Sequence, residues 1–124
     1  FTPNETEASF YVNHPVETHD DASKAAKTLL DMGIKNVIIT LGEKGAYFAN
    51  SSKTFSSPIA NLSSPVVDTT GAGDAFNAGF AAALMENQGI HEAIAFASAT
   101  AGLSTTKIGT ANSMPSREEI DKIL

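Results

Sequence analysis

The chain has 124 residues, 42% of them hydrophobic, which is enough for one modest core. It has no cysteine, so a disulfide scaffold and a thiolate zinc site are excluded. A formal charge of −6 and a pI near 4.8 deny it the basic footprint that a nucleic-acid partner needs, and an anionic nucleotide would need local help from magnesium, lysine and backbone dipoles.

No apolar run approaches membrane-spanning length, and no signal-peptide pattern opens the chain. No membrane partner and a cytoplasmic setting are therefore expected. The Asn-x-Ser/Thr triplets at Asn4, Asn50 and Asn61 then read as chance sequons.

Phe1-Thr2-Pro3 reads as the end of a strand whose beginning is missing. Asn4, with Glu7 at the third helical position, caps a short helix. Asp20 or Asp21 is expected to cap the next helix, which runs to Met32 with Ala25, Leu29 and Met32 on one face. Gly33 supplies its stop. Val37-Ile38-Ile39-Thr40-Leu41 is continuously apolar and β-branched, the pattern of a strand buried on both faces in a parallel sheet. Thr40–Gly45 lies at its C-terminal end, where open α/β sheets bind ligands. The same residues also read as a plain turn into a hairpin, because Ala46–Ala49 and Lys53–Phe55 look like paired strands.

Ser51–Ser64 is rich in serine and is the loosest stretch. Ala75–Gln88 is apolar almost all round, which predicts a buried, closely packed helix ended by Gly89. Glu92–Thr106 predicts another small-residue helix. Ser116 with Glu119 forms a capping box for the last one. His14, His19 and His91 show no metal-ligand spacing, and solvated or capping roles are expected of them.

The stretch richest in chemistry is Asp68-Thr69-Thr70-Gly71-Ala72-Gly73-Asp74-Ala75-Phe76-Asn77-Ala78-Gly79-Phe80. It reads as a glycine-hinged turn opening into a helix. Glycine lets a backbone approach a ligand closely. The first helical turn leaves N–H groups unpaired and carries partial positive charge. Together these features make an anion site suited to phosphate, with the carboxylate of Asp74 at its mouth. The competing reading is an ordinary glycine turn with an aspartate cap. A dinucleotide fingerprint is excluded, because no third glycine follows Gly71 and Gly73. No Gly-Lys-Ser/Thr P-loop and no Gly-x-Ser-x-Gly elbow occurs.

Asp-Thr-Thr-Gly-Ala-Gly-Asp-Ala-Phe resembles the C-terminal signature of the ribokinase/PfkB sugar kinases. Asn4-Glu5-Thr6-Glu7 resembles that family's Asn-x-x-Glu element. Thr40-Leu41-Gly42-Glu43-Lys44-Gly45 resembles its nucleotide-contacting turn, and 104–115 its potassium-holding loop. The tail 116–120 is similar to a ribokinase ending, so the resemblance runs the length of the chain.

The resemblance implies part of a three-layer α/β/α sandwich with a mostly parallel central sheet. Residues 1–124 would be the C-terminal nucleotide-binding portion of one ribokinase-like domain, its N-terminal half missing. It also implies a sugar kinase using ATP and Mg2+, with K+ as activator, and a homodimeric parent. Asp74 would be the general base, and the backbone of Gly71, Ala72 and Gly73 the anion hole. Asn4 and Glu7 would organise magnesium and phosphate. Thr40, Leu41, Gly42, Glu43, Lys44 and Gly45 would contact nucleotide, with Gly73 and Asp74 beside its phosphates and Ser98 at the adenine pocket. Asp68, Thr70, Ser104, Lys107, Gly109 and Ser113 would cage potassium.

The tail points to D-ribose as acceptor, although Thr110-Ala111-Asn112 departs from the commonest ribokinase form. Fructokinases, ketodeoxygluconate kinases and nucleoside kinases share much of the signature. The family's N-terminal half carries most sugar contacts and the lid, so this chain alone is expected to be inactive, a nucleotide-binding or structural fragment.

Overall fold

The structure, a computed structural model, describes residues 1–58, 72–106 and 115–124. Two compact units divide the chain, Phe1–Pro58 and Ile59–Leu124. The first contains α1 (Glu5–Val12), α2 (His19–Asp31), β1 (Asn36–Thr40), a 3-10 turn (Gly42–Lys44), β2 (Ala46–Asn50) and β3 (Thr54–Ser57).

Local chemistry sets the helix ends. Asn4 caps α1 as expected. Its Oδ1 accepts from the Glu7 N–H at 2.8 Å, and Glu7 Oε1 accepts from the Asn4 N–H at 3.0 Å. The cap of α2 is Thr18, not Asp20 or Asp21. Thr18 Oγ1 accepts from the Asp21 N–H at 3.1 Å. Asp21 reaches back to the N–H groups of Glu17 and Thr18. A Thr-x-x-Asp box satisfies donors on both sides, where a lone aspartate cap would satisfy one side only.

At the other end of α2, Gly33 adopts φ 101°. Its N–H meets the Leu30 carbonyl, and the Ile34 N–H meets that of Leu29. This is a Schellman stop, and it needs the left-handed conformation that glycine adopts without strain. Met32 thus lies just past the helix and is 63% exposed. The buried face of α2 is instead Ala22, Ala25, Ala26 and Leu29.

The three strands form an antiparallel meander in the order β1-β2-β3. Val37 pairs with Ala49 and Ile39 with Tyr47, then Phe48 with Phe55. The turn 41–45 is too short for the crossover that parallel neighbours require, so β1 and β2 must be antiparallel. The three described strands are thus the hairpin arrangement that the sequence reads after Thr40–Gly45. Parallel pairing does occur at the other edge of β1. There the Ile38 N–H donates to Phe1 O at 2.9 Å and the Thr40 N–H to Pro3 O at 3.0 Å, and Asn4 bridges Thr40 in parallel. Val37, Ile38 and Ile39 are all buried, so this strand is covered on both faces as its sequence predicts. Val37, Ile39 and Leu41 join Ala8, Ala25 and Leu29 in one core cluster under α1 and α2.

The second unit contains α3 (Ala72–Met85), α4 (Ile90–Ser104) and α5 (Arg117–Asp121). α3 is apolar but buries one face only: Ala75, Phe76, Gly79 and Ala83 are covered, whereas Leu84 and Met85 are exposed. Its end is set by Asn87, not Gly89. Asn87 takes φ 59°, its N–H meets Leu84 O, and the Gln88 N–H meets Ala83 O. Gly89 is instead the N-cap of α4. α3 and α4 approach closely at Gly79, where a Cβ would stand 2.5 Å from Thr100 Oγ1 and 3.1 Å from Ala97 Cα.

Ser116 and Glu119 form the predicted capping box of α5. Arg117 ties that helix to the other two. It reaches Glu86 at 2.5 Å and Asp121 at 3.2 Å, and its guanidinium lies 4.8 Å from the Phe96 ring centroid. The Glu86 hydrogen bond, and then that of Asp121, raise the Arg117 pKa further above its already high value.

Candidate active site

In the first unit the structure brings together the two segments that the sequence reading assigns to nucleotide and magnesium. Asn4 sits against Thr40 through the parallel bridge, so the start of α1 and the C-terminal end of β1 share one edge. Glu5 Oε1 would lie 3.9 Å from a Cβ at Gly42. The Asn4–Glu7 capping box uses Oε1 of Glu7. Oε2 has no hydrogen bond among the described residues, so capping leaves one carboxylate oxygen for a cation.

The turn after β1 is closed by three backbone bonds: Leu41 N–H to Gly45 O at 2.7 Å, Lys44 N–H to Leu41 O at 3.0 Å and Gly45 N–H to Gly42 O at 3.1 Å. Gly42 and Gly45 have φ of 57° and 89°, which L side chains rarely adopt. This turn is why glycine recurs at that spacing. Its bonds consume the carbonyls of Leu41, Gly42 and Gly45. The N–H groups of Gly42 and Glu43 carry no hydrogen bond among the described residues, and both residues are exposed. Two such donors at a strand's C-terminal end suit an anionic or polar ligand edge.

Lys44 does not extend freely from this turn. Its Nζ donates to Glu17 O at 2.6 Å. The ring of His19 also contacts the turn, with Nε2 3.2 Å from Lys44 O and Nδ1 3.2 Å from Ser56 Oγ. Sequence reasoning missed both contacts, and for a physical reason. They join residues 25 to 37 positions apart, beyond any helical or strand period.

In the second unit, Ala72, Gly73 and Asp74 are the first three residues of α3. Asp74 lies within the first turn, exposed, where the helix dipole favours a carboxylate. The N–H groups of this first turn have no intrahelical partner. Among the described residues, no atom lies within 4 Å of where a Cβ on Gly73 would stand.

Ser98 is half-buried in the middle of α4. Ser104 is buried in the last turn of α4, and its hydroxyl donates to Ala101 O at 2.7 Å. A cation ligand from Ser104 would thus be its carbonyl, at the helix end where intrahelical donors run out. Asp68, Thr70, Gly71, Lys107, Gly109 and Ser113 lie outside the described residues. Among the described residues, no cluster of His, Cys, Asp or Glu side chains alone forms a metal centre, and no helix is long and apolar enough to cross a membrane.

Each unit thus offers a feature of its own suited to a polar or anionic ligand: a glycine turn after a buried strand in the first, and a helix whose opening turn carries an exposed carboxylate in the second. The chain belongs to the pfkB family of carbohydrate kinases, whose model matches residues 1–117. It is 44% identical over 118 residues to the ribokinase of Haemophilus influenzae, an alignment that covers 95% of this chain and 38% of that protein. Its fold matches the Arabidopsis thaliana ribokinase complexed with ribose and ATP at a TM-score of 0.92 and 38% identity, over 98% of this chain and 39% of that one. It is also similar to phosphofructokinase-2 of Escherichia coli in complex with potassium, at a TM-score of 0.82 and 29% identity, over 98% of this chain and 38% of that one. The chain thus spans about two fifths of the length of each of these relatives.

Proposed function

We propose that the protein transfers the γ-phosphoryl group of Mg·ATP to the hydroxymethyl group of a sugar, D-ribose, giving ribose 5-phosphate and ADP. The observation that carries this reading is Asp74, exposed in the first turn of α3 directly after Ala72 and Gly73. Asp74 takes the proton from the sugar hydroxyl. The oxygen attacks the γ-phosphorus, and the bond to the bridging oxygen of ADP breaks. First-turn N–H groups face the charge growing on the transferred group.

Magnesium, when bound, neutralises phosphate charge, and the spare oxygen of Glu7 is the described donor suited to it. The N–H groups of Gly42 and Glu43 take the nucleotide. Potassium, when bound, would be held by Asp68, the carbonyls of Thr70, Ser104, Lys107 and Gly109, and the oxygen of Ser113, and would fix the N–H groups of residues 71–73. In the same reading the protein is a cytoplasmic homodimer with no nucleic-acid partner. The acceptor rests on the likeness to ribokinases. The likeness to a phosphofructokinase favours a phosphorylated hexose as the competing acceptor.

The test is turnover of the full-length protein with ribose, fructose, fructose 6-phosphate and adenosine. Ribose should be preferred, and turnover should rise when potassium replaces a bulky organic cation at constant ionic strength. Asp74→Asn should lower kcat by about 10²–10⁴-fold with ATP affinity nearly intact, because a general base acts on the chemical step. Phosphorylation of another acceptor alone would refute ribose and leave the family. Near-normal turnover in Asp74→Asn would remove Asp74 as the base.

A further inference from the structure

We propose that His19 is a positioning residue for the nucleotide turn. The proposal rests on the reading that residues 42 and 43 contact ATP.

The ring of His19 has a partner on each nitrogen. Nε2 faces the Lys44 carbonyl, which only accepts, so Nε2 carries the hydrogen. In the neutral ring Nδ1 then accepts from the Ser56 hydroxyl on β3. One side chain thus links the turn that follows β1 to the third strand of the meander. The turn's own backbone bonds use the carbonyls of Leu41, Gly42 and Gly45 and leave that of Lys44, which His19 engages.

The support for the ring is itself fixed. His19 is the first residue of α2, directly after the Thr18 cap. The two residues before it are held by Asp21, whose Oδ2 accepts from the Glu17 and Thr18 N–H groups. Glu17 returns a second tie, its carbonyl accepting from Lys44 Nζ at 2.6 Å. The start of α2 therefore grips the residue after Glu43 at backbone and side chain. That grip sets the direction in which the Gly42 and Glu43 N–H groups point. The turn needs such help, because Gly42 and Gly45 have wide conformational freedom of their own. A ring with hydrogen bonds on both nitrogens loses little further freedom when ATP arrives, so ordering the turn costs the ligand less.

The experiment compares His19→Ala, His19→Gln, Ser56→Ala and Glu43→Pro in the full-length protein. The readouts are ATP and sugar KM, kcat, and ATP affinity by calorimetry. A lost hydrogen bond of ordinary strength predicts that His19→Ala raises ATP KM and Kd about three- to tenfold. Sugar KM and kcat should stay within about twofold, as expected for lost ground-state binding. Gln places an amide donor near the former Nε2 and should restore most of the affinity. Ser56→Ala should weaken ATP in the same direction. Glu43→Pro deletes the N–H itself and reports on the turn.

Unchanged ATP affinity in His19→Ala, with Glu43→Pro weakened, overturns the role of His19 and leaves the turn reading standing. Unchanged affinity in both overturns the two together. If His19→Ala does not fold, normal ATP affinity in Ser56→Ala overturns the proposal.

Discussion

Gly79 is where α3 and α4 meet most closely, and its missing side chain has a calculable effect. Alanine would gain helix propensity worth about 1 kcal/mol. Its Cβ, however, would stand 2.5 Å from Thr100 Oγ1, 2.9 Å from Thr100 Cβ and 3.1 Å from Ala97 Cα. Rotating Thr100 does not clear the last two, and its hydroxyl is engaged with Phe96 O at 2.8 Å. Overpacking against backbone costs about 1–3 kcal/mol, so the clash wins. Gly79→Ala should lower the stability of the full-length protein by about 1–2 kcal/mol in urea unfolding; an unchanged or raised midpoint would show that the helices separate freely. The need for a small residue here was legible in the sequence as close packing of an alanine-rich helix. Gly79 is the one glycine within 75–88, so the sequence names it; which atoms of α4 it meets was not legible, because that depends on the register of two helices.

Short motifs that close on themselves were read correctly, and those that compete were not. The boxes Asn4–Glu7 and Ser116–Glu119 each involve residues three apart, and both form. The start of α2 was read as capped by Asp20 or Asp21, and the reciprocal Thr18–Asp21 pair prevailed. Thr18→Ala should destabilise the protein by about 0.5–2 kcal/mol, measured by thermal unfolding. Asp21 adds a pH dependence. Its pKa is lowered chiefly by the hydrogen bond from the Glu17 backbone, partly offset by desolvation and aided by Thr18. A depressed folded pKa means that its contribution is complete above the unfolded aspartate value, about 3.9, and fades as pH falls through the lower folded value. Asp21→Asn should therefore narrow the gap to the parent protein only in that acid window. An equal gap at pH 3 and pH 7 would assign the effect of Asp21 to geometry alone. The ends of α2 and α3 show the same limit of reading. Gly33 was an evident stop, whereas Asn87 hid because the left-handed conformation is open to asparagine and Gly89 stood nearby.

At the scale of the whole molecule, family membership and the helix that the glycine motif opens were legible from one long motif and its companions in order. A parallel sheet around β1 and a hairpin after it were both read, but how the two combine was not. A continuous apolar run reports burial on both faces, and β1 meets that condition with an antiparallel neighbour on one side and a parallel one on the other. The two sides of β1 also differ in timing. The β1–β2 pairing closes across a turn of a few residues, on the scale of hairpins, about 1–10 μs. The pairing with Phe1–Pro3 spans a separation of 35 residues and waits on both intervening helices. Ile38 and Thr40 donate to that segment, so by alternation Val37 and Ile39 donate to β2. In pulse-labelled refolding, the amides of Val37 and Ile39 should gain protection before those of Ile38 and Thr40, and simultaneous protection would contradict this order. Until the later pairing forms, β1 presents a row of open amides along a Val-Ile-Ile run. A nascent or partly unfolded molecule is then open to joining another chain at this edge.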